Sequence, residues 1–272
     1  MLNRRRNFRL LKVSEVSARL DSAGHEALWL MSCALGMSSA EILSRSEFSI
    51  DEEQKVNALI SRRISGEPLQ YILGEADFYG RDFRVGPGVL IPRHDTETLI
   101  EGVKKCFSVD EPFRFLDWGT GSGCLAVTIL LEFPNSSANI FDISDEALSY
   151  ARENLSRYGL EERAKFGVDS EFDLIVSNPP YIPSRELSGL MREVRDFEPG
   201  IALDGGADGM DFYREITALG TSRVRRRGYI IFETGNMNQV RELERLSDDF
   251  EFVNTIFDDG NFPRCLILRR ID

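Results

Sequence analysis

The sequence predicts an α/β fold, a mainly parallel sheet flanked by helices, with a small helical domain in front of it. Three observations predict it. The first seventy residues carry helix signals, whereas from Pro112 onward strand-like and helix-like segments alternate, the rhythm of βαβ units. Apolar runs such as Leu174-Ile175-Val176 are contiguous, which fits strands covered on both faces. At 272 residues the chain is long enough for one main domain and a smaller companion. The expected division is a helical domain over 1–73, a hairpin and connector over 74–96, and the main α/β domain over 97–272.

In the first part, His25 to Leu35 is apolar and closes at Gly36, a residue suited to ending a helix. Ser38-x-x-Glu41 and Ser49-x-x-Glu52 each match a capping box, in which serine and glutamate satisfy free N–H groups at a helix start. Val56, Leu59, Ile60 and Ile64 then share one helical face before Gly66. Arg4, Arg5 and Arg6 read as a frayed, solvated terminus rather than an RNA contact. From Gly66 to Glu97 the texture turns to Gly, Pro and aromatics. Phe78 to Val85 predicts a hairpin turning near Gly80 and Arg81. Val89-Leu90-Ile91 is expected to end a short strand, with Asp95 or Thr96 capping the helix after it. Arg93 and Glu97 are either a surface ion pair or part of a pocket floor.

The main domain opens with a strand over Phe113 to Asp117, a turn Trp118-Gly119-Thr120-Gly121-Ser122-Gly123, and a helix over Cys124 to Glu132. A dinucleotide fingerprint would place its third glycine at 124, where Cys124 stands, and no Gly-Lys-Ser/Thr follows, so neither NAD nor a phosphate loop fits. Glycines at such a turn let a ligand lie against bare backbone. The next strand, Ala138 to Phe141, ends at Asp142, about twenty residues past the turn, the offset at which an acid meets ribose hydroxyls in nucleoside-binding folds. Two charge-assisted bonds of roughly 1.5–3 kcal/mol each are available there. Ser144 and Asp145 are better placed than Asp142 to cap the helix Asp145 to Tyr158, which stops at Gly159; Ala164 to Gly167 reads as a short third strand.

Phe172 to Val176 is the next buried strand, and it delivers Ser177-Asn178-Pro179-Pro180-Tyr181 to the carboxyl edge of the sheet, where ligands bind in such folds. Asn178 offers an amide oxygen. Pro179 and Pro180 have no N–H and stiffen the backbone, so acceptors converge without competing donors. Tyr181 supplies a ring face for a planar group. The set suits an uncharged planar nitrogen, a carboxamide or an exocyclic amine, whose N–H bonds two acceptors can grip. A Gly-rich loop over Leu203 to Gly209, a helix from Met210, a strand Gly228 to Glu233, a helix Asn236 to Leu246 and an antiparallel pair, Phe250 to Phe257 with Cys265 to Arg269, complete the domain.

The net charge of −12 is uneven: residues 1–70 hold ten Lys/Arg against nine Asp/Glu, leaving 23 against 36 for the rest. So acidic a main domain argues against duplex DNA, which needs its phosphates neutralised. Cys33, Cys106, Cys124 and Cys265 are isolated and the histidines number two, so neither a metal site nor a disulfide framework is expected. No apolar run approaches membrane-spanning length and no signal core follows Arg6, which leads us to expect a cytoplasmic protein that binds no membrane.

Asn-Pro-Pro-Tyr after a buried strand resembles the signature of methyltransferases that modify planar nitrogens with S-adenosylmethionine. The wider set resembles the HemK family, the release-factor glutamine methyltransferases: Gly66-x-Pro68-x-Gln70-Tyr71, Ile91 to Glu97, Asp117 to Gly123, Asp142-Ile143-Ser144, Ser177 to Pro183, Glu198-Pro199, Ala202 to Gly206 and Phe232-Glu233-Thr234-Gly235. The resemblance implies a seven-stranded, Rossmann-like class I methyltransferase domain behind a helical domain that helps bind peptide chain release factors. It implies that Gly119, Thr120, Gly121, Ser122, Gly123 and Asp142 hold S-adenosylmethionine, released as S-adenosylhomocysteine. Asn178 and the Pro179 carbonyl would grip the glutamine amide of the factor's Gly-Gly-Gln loop, with Pro180 beside it and Tyr181 against the side chain. A monomer is the default expectation. The segment 164–172 is shorter than the family's, with Asp169 as the residue left to meet the adenine. Trp118 and His94 stand where other residues are commoner. Two rival readings are a nucleic-acid base as the methyl acceptor and a non-catalytic adapter bound to the release factor or ribosome.

Overall fold

The computed structural model describes residues 8–9, 12–20, 24–45, 47–168 and 170–271; Arg4, Arg5, Arg6 and Asp169 lie outside them. Two compact units result. One gathers the residues up to Glu75 and takes in Arg192–Phe197; the other holds Ala76–Met191 and the chain from Glu198.

The first unit packs α1 (Val13–Leu20), α2 (Gly24–Leu35), α3 (Ser39–Ser44), α4 (Ile50–Ile64) and α5 (Leu69–Leu73) beside an antiparallel pair, β1 (Phe8–Arg9) and β2 (Phe48–Ser49). Both capping boxes form: Glu41 N and Glu52 N donate to the Ser38 and Ser49 hydroxyls at 3.3 and 3.2 Å, and the two glutamates accept the serine N–H groups in return at 2.8 and 2.7 Å. Val16, Ala27, Met31, Ile42, Val56 and Ile60 form the core. Ile64 departs from expectation: in the last turn of α4 it has passed the end of this cluster and is 57% exposed. Arg63, one residue earlier, holds Glu26 at 2.5 Å and reaches Glu193 of the late segment at 2.8 Å. Arg192 and Phe197 flank Gly66, leaving 3.4–3.5 Å to the position a Cβ would take there.

The hairpin β3 (Glu75–Phe78) and β4 (Arg81–Arg84) turns through Tyr79 at φ +54° and Gly80 at φ +68°, the left-handed pair that matches strand twist in two-residue turns. Val89 to Ile91 form no strand, a correction to the sequence reading. After α6 (Glu97–Cys106) come β5 (Arg114–Trp118), α7 (Cys124–Glu132), β6 (Ser137–Phe141), α8 (Asp145–Arg157), β7 (Ala164–Phe166) and β8 (Phe172–Ser177). Beyond α9 (Arg192–Phe197) of the first unit follow α10 (Asp211–Arg223), β9 (Val224–Glu233), α11 (Met237–Leu243), β10 (Phe250–Phe257) and β11 (Pro263–Arg270). The seven-stranded sheet has the order β10-β11-β9-β8-β5-β6-β7, with β11 antiparallel to both neighbours and the other pairs parallel.

Pleating explains the contiguous apolar run of β8. Leu174 and Val176 face one way, onto Leu99, Leu125 and Ile129 of α6 and α7, while Ile175 faces the other, onto Tyr213, Ile216 and Val240 of α10 and α11. Both faces are therefore dry, and full burial of each such side chain contributes roughly 1.5–3 kcal/mol. Strand order reverses at β5, which lies between β6 and β8. That switch opens a crevice beyond the carboxyl ends of the strands.

Candidate active site

A pocket occupies this crevice, lined by the turn after β5, the end of β6, Asn178 and Pro180 after β8, and side chains from 199–215. Gly119, Gly121 and Gly123 all have positive φ, at +72°, +56° and +81°. A side chain at Gly119 would meet nothing within 4 Å, so the bare backbone faces open space, whereas at Gly123 a Cβ would lie 3.1 Å from the Ala151 Cα of α8. The first glycine thus leaves room for a ligand and the third lets two elements approach. Gly119 N and Thr120 N both donate to Phe141 O, at 2.8 and 3.0 Å, which lashes the turn to β6. The Thr120 hydroxyl turns inward and donates to Asp117 Oδ2 at 2.6 Å, and the Ser122 carbonyl accepts from Asn154 Nδ2 at 2.8 Å. Asp117 is fully buried, and burial pushes its carboxyl up to about 7.

Asp142 stands at the pocket edge. Its Oδ2 accepts Gly121 N and its Oδ1 accepts Ser144 N, both at 2.9 Å. A carboxylate has about four acceptor positions, so each oxygen keeps one for a ligand. The helix behind is capped by Ser144, whose hydroxyl accepts Ala147 N at 3.2 Å, which frees Asp142 from that task as expected. Trp118, Phe141 and Phe212 form an apolar wall, with Trp118 5.8 and 5.6 Å from the other two rings. Among the lining residues Arg93, Asp142 and Glu215 carry charge. An apolar wall, a carboxylate pair of acceptors and glycine backbone open to solvent fit an adenosine carrying a cationic sulfonium.

Asn178 follows β8 directly. Its Nδ2 donates to Thr96 Oγ1 at 3.0 Å, and the Thr96 hydroxyl donates to Glu233 Oε2 at 2.5 Å. Glu233 ends β9, is 1% exposed, and accepts the Tyr181 hydroxyl on Oε1 at 3.2 Å. Burial pushes the Glu233 carboxyl up to about 7 and the Tyr181 phenol above its ordinary range, Glu233 adding to the second effect. Thr96 therefore does not cap α6, and Asp95 does not either: it pairs with Arg264 at 2.9 Å. Both halves of the expectation for this helix start are corrected, because the two side chains are committed across the fold. Arg93 and Glu97 are not paired with each other. Arg93 holds the buried Glu198 at 2.5 Å and lines the pocket, and Glu97 accepts Tyr79 N at 2.9 Å and lies 3.1 Å from His94 Nδ1.

The structure thus brings Gly119, Thr120, Gly121, Ser122, Asp142, Asn178 and Pro180 to one pocket. Gly123 lies behind it as the start of α7, Pro179 is buried, and Tyr181 packs its ring over Gly235, where a Cβ would fall 2.9 Å from Cε2. The sequence offered Thr96 only as a possible helix cap and Glu233 only as part of a motif, with no role in the site for either. Their signal was a lone glutamate ending the apolar run Ile230-Ile231-Phe232 and a threonine in Ile91 to Glu97.

Fold and site together define a Rossmann-like methyltransferase. Residues 13–74 match the PrmC N-terminal domain and residues 95–192 the methyltransferase small domain. The release factor glutamine methyltransferase of Nitratidesulfovibrio vulgaris is 40% identical over 270 residues, 93% of this chain and 90% of that one, and that of Geobacter sulfurreducens 40% identical over 224 residues, 79% and 78%. The chain belongs to the release factor glutamine methyltransferase family. A methyltransferase structure from Pyrococcus furiosus aligns with a TM-score of 0.54 at 16% identity, covering 81% of this chain and 99% of that one, a likeness of fold. Membership in a methyltransferase family implies S-adenosylmethionine as the methyl donor.

Proposed function

We propose that this chain methylates the side-chain amide nitrogen, N5, of the glutamine in the Gly-Gly-Gln loop of peptide chain release factors. The observation that carries the reading is Asn178 at the sheet edge with its amine turned to Thr96, which leaves Oδ1 as an acceptor beside the pocket. Bound S-adenosylmethionine supplies a methyl carbon on a sulfonium, already activated for displacement. Asp142 and the backbone from Gly119 to Ser122 hold the donor, with the Thr120 hydroxyl and the Ser122 carbonyl shaping the turn through their inward bonds and Gly123 closing it behind the pocket. Asn178 Oδ1 and the Pro179 carbonyl accept the two N–H bonds of the glutamine amide, so that its lone pair is aimed in line with the methyl group. Pro180 shapes the wall beside it. Tyr181 is best read as a brace through its hydroxyl, in place of the ring contact the resemblance implied.

The protein's part is mainly positioning, an effect that supplies roughly 7–11 kcal/mol in well-oriented reactions. In this reading the helical domain over 1–73, which lies within the first unit, binds the release factor, the 74–96 stretch leads from it to the catalytic domain over 97–272, and the enzyme is a cytoplasmic monomer that does not bind duplex DNA. Among the described residues no helix is long and apolar enough to cross a membrane. The test is mass spectrometry of a release factor after incubation with S-adenosylmethionine: one added methyl group on the loop glutamine is expected, and label entering only nucleic acid would overturn the choice of acceptor. Asn178→Ala should lower kcat by about 10²–10³, the loss usual for one preorganised polar contact.

A further inference from the structure

An asparagine amide has nearly the same shape either way round, so packing cannot choose which end faces the substrate; its hydrogen bonds must. Thr96 has a single hydroxyl proton, and while Glu233 is ionised its Oε2, 2.5 Å away, takes that proton. The Thr96 oxygen is then left with lone pairs only, so at 3.0 Å it accepts, and the end of Asn178 that meets it is the amine. Reversed, Asn178 would point N–H donors at the N–H donors of an incoming amide.

We infer that Thr96 and Glu233 are positioning residues that fix the polarity of Asn178 for transfer to an amide nitrogen, in a relay that rests on the glutamine reading above. The relay is itself clamped. Glu233 accepts the Tyr181 hydroxyl on Oε1 at 3.2 Å, and its backbone carbonyl accepts the Tyr213 hydroxyl at 2.8 Å. Tyr181 is held in turn by Gln239 Nε2, which donates to its carbonyl at 2.9 Å, and by the absence of a side chain at Gly235 beneath its ring. Thr96 forgoes a capping bond at the start of α6 to serve this contact. The tyrosine of Asn-Pro-Pro-Tyr thus acts at a distance, through the carboxylate, on the asparagine three residues before it.

Thr96→Val keeps the shape and removes the hydroxyl. It should lower kcat on a release factor at least tenfold, leave S-adenosylhomocysteine affinity by calorimetry within twofold, and be largely reversed by Thr96→Ser. Followed by ¹⁵N NMR and assigned by their loss in Asn178→Asp, the Asn178 side-chain amide protons should be protected in the wild type and in Thr96→Ser, and should exchange at least tenfold faster in Thr96→Val. Wild-type kcat in Thr96→Val, a parallel loss of affinity, failure of Thr96→Ser to recover, or unchanged exchange would each overturn the relay. A wild-type protein that methylates no release factor would sink the glutamine reading, while the exchange measurement would still decide the relay.

Discussion

Asn154 lies in the middle of α8, fully buried, and its amide staples three backbone groups: it accepts Arg84 N at 2.7 Å and donates to Arg84 O at 3.0 Å and Ser122 O at 2.8 Å. Asn154→Ala removes all three bonds. Arg84 is an exposed residue, so those two losses are put at about 1 kcal/mol each, whereas Ser122 is 2% exposed and its stranded carbonyl costs about 1–3 kcal/mol. The second unit should lose about 3–5 kcal/mol in all. Asn154→Asp separates polarity from volume, because it keeps the side-chain shape and sets carboxylate oxygen against two carbonyls; it should be at least as damaging. The chain has two tryptophans, Trp29 and Trp118, one in each unit. Urea unfolding read by Trp118 fluorescence in a Trp29→Phe background therefore reports the second unit alone. Losses below about 1 kcal/mol for both variants would refute the assignment of Asn154 as the staple of the glycine turn.

Asp142→Ala should weaken S-adenosylhomocysteine binding by two to four decades, corresponding to two charge-assisted bonds of roughly 1.5–3 kcal/mol each, and calorimetry that shows unchanged affinity would remove Asp142 from the donor site. Gly205→Ala would place a methyl group 2.8 Å from both Pro180 O and the Tyr181 Cα, so the backbone beside Asn178 must shift; kcat should fall more than the thermal midpoint predicts, checked by both measurements on one sample. Burial raises Asp117 to about 7, above its unfolded value, so between pH 4 and 7 the folded state binds more protons than the unfolded one and this group's contribution to stability is lost as pH rises. Asp117→Asn should remove up to about 1.4 kcal/mol per pH unit of that slope, read as the difference between the two proteins' stability curves across that range.

What was legible in the sequence is what depends on neighbours in the chain. Both capping boxes, the glycine turn after β5 and the strand that delivers Asn178 follow from local pattern and formed where the pattern placed them, and the hairpin formed with its turn at Tyr79–Gly80, one residue earlier than expected. The Ser144 cap was likewise visible, and with it the freedom of Asp142. What depends on distant residues was not. Thr96 looked like a helix cap because a threonine at that spacing usually is one; the Glu233 carboxylate that claims it is 137 residues away. Val89 to Ile91 has strand composition yet pairs with no strand, and Val89 instead approaches Gly121 to within 3.5 Å of where a Cβ would stand. Asn154 has the look of a tolerated polar residue on a helix, since nothing within α8 betrays that Arg84 and Ser122 converge on it. Tyr181 was legible as an aromatic beside the site, but its ring direction is set by Gly235, which only the fold brings beneath it.

The late segment Arg192–Phe197 has a bearing on how the molecule comes into being. On the ribosome, the helices of the first unit emerge long before Glu193 exists to take the second hand of Arg63, and Gly66 waits equally long for Phe197. A protein cut after Glu75 would keep the sequence of that unit up to the cut yet lack this closing piece. The last contacts of that unit are thereby made only after most of the second unit, including the strand that carries Asn178, has been translated.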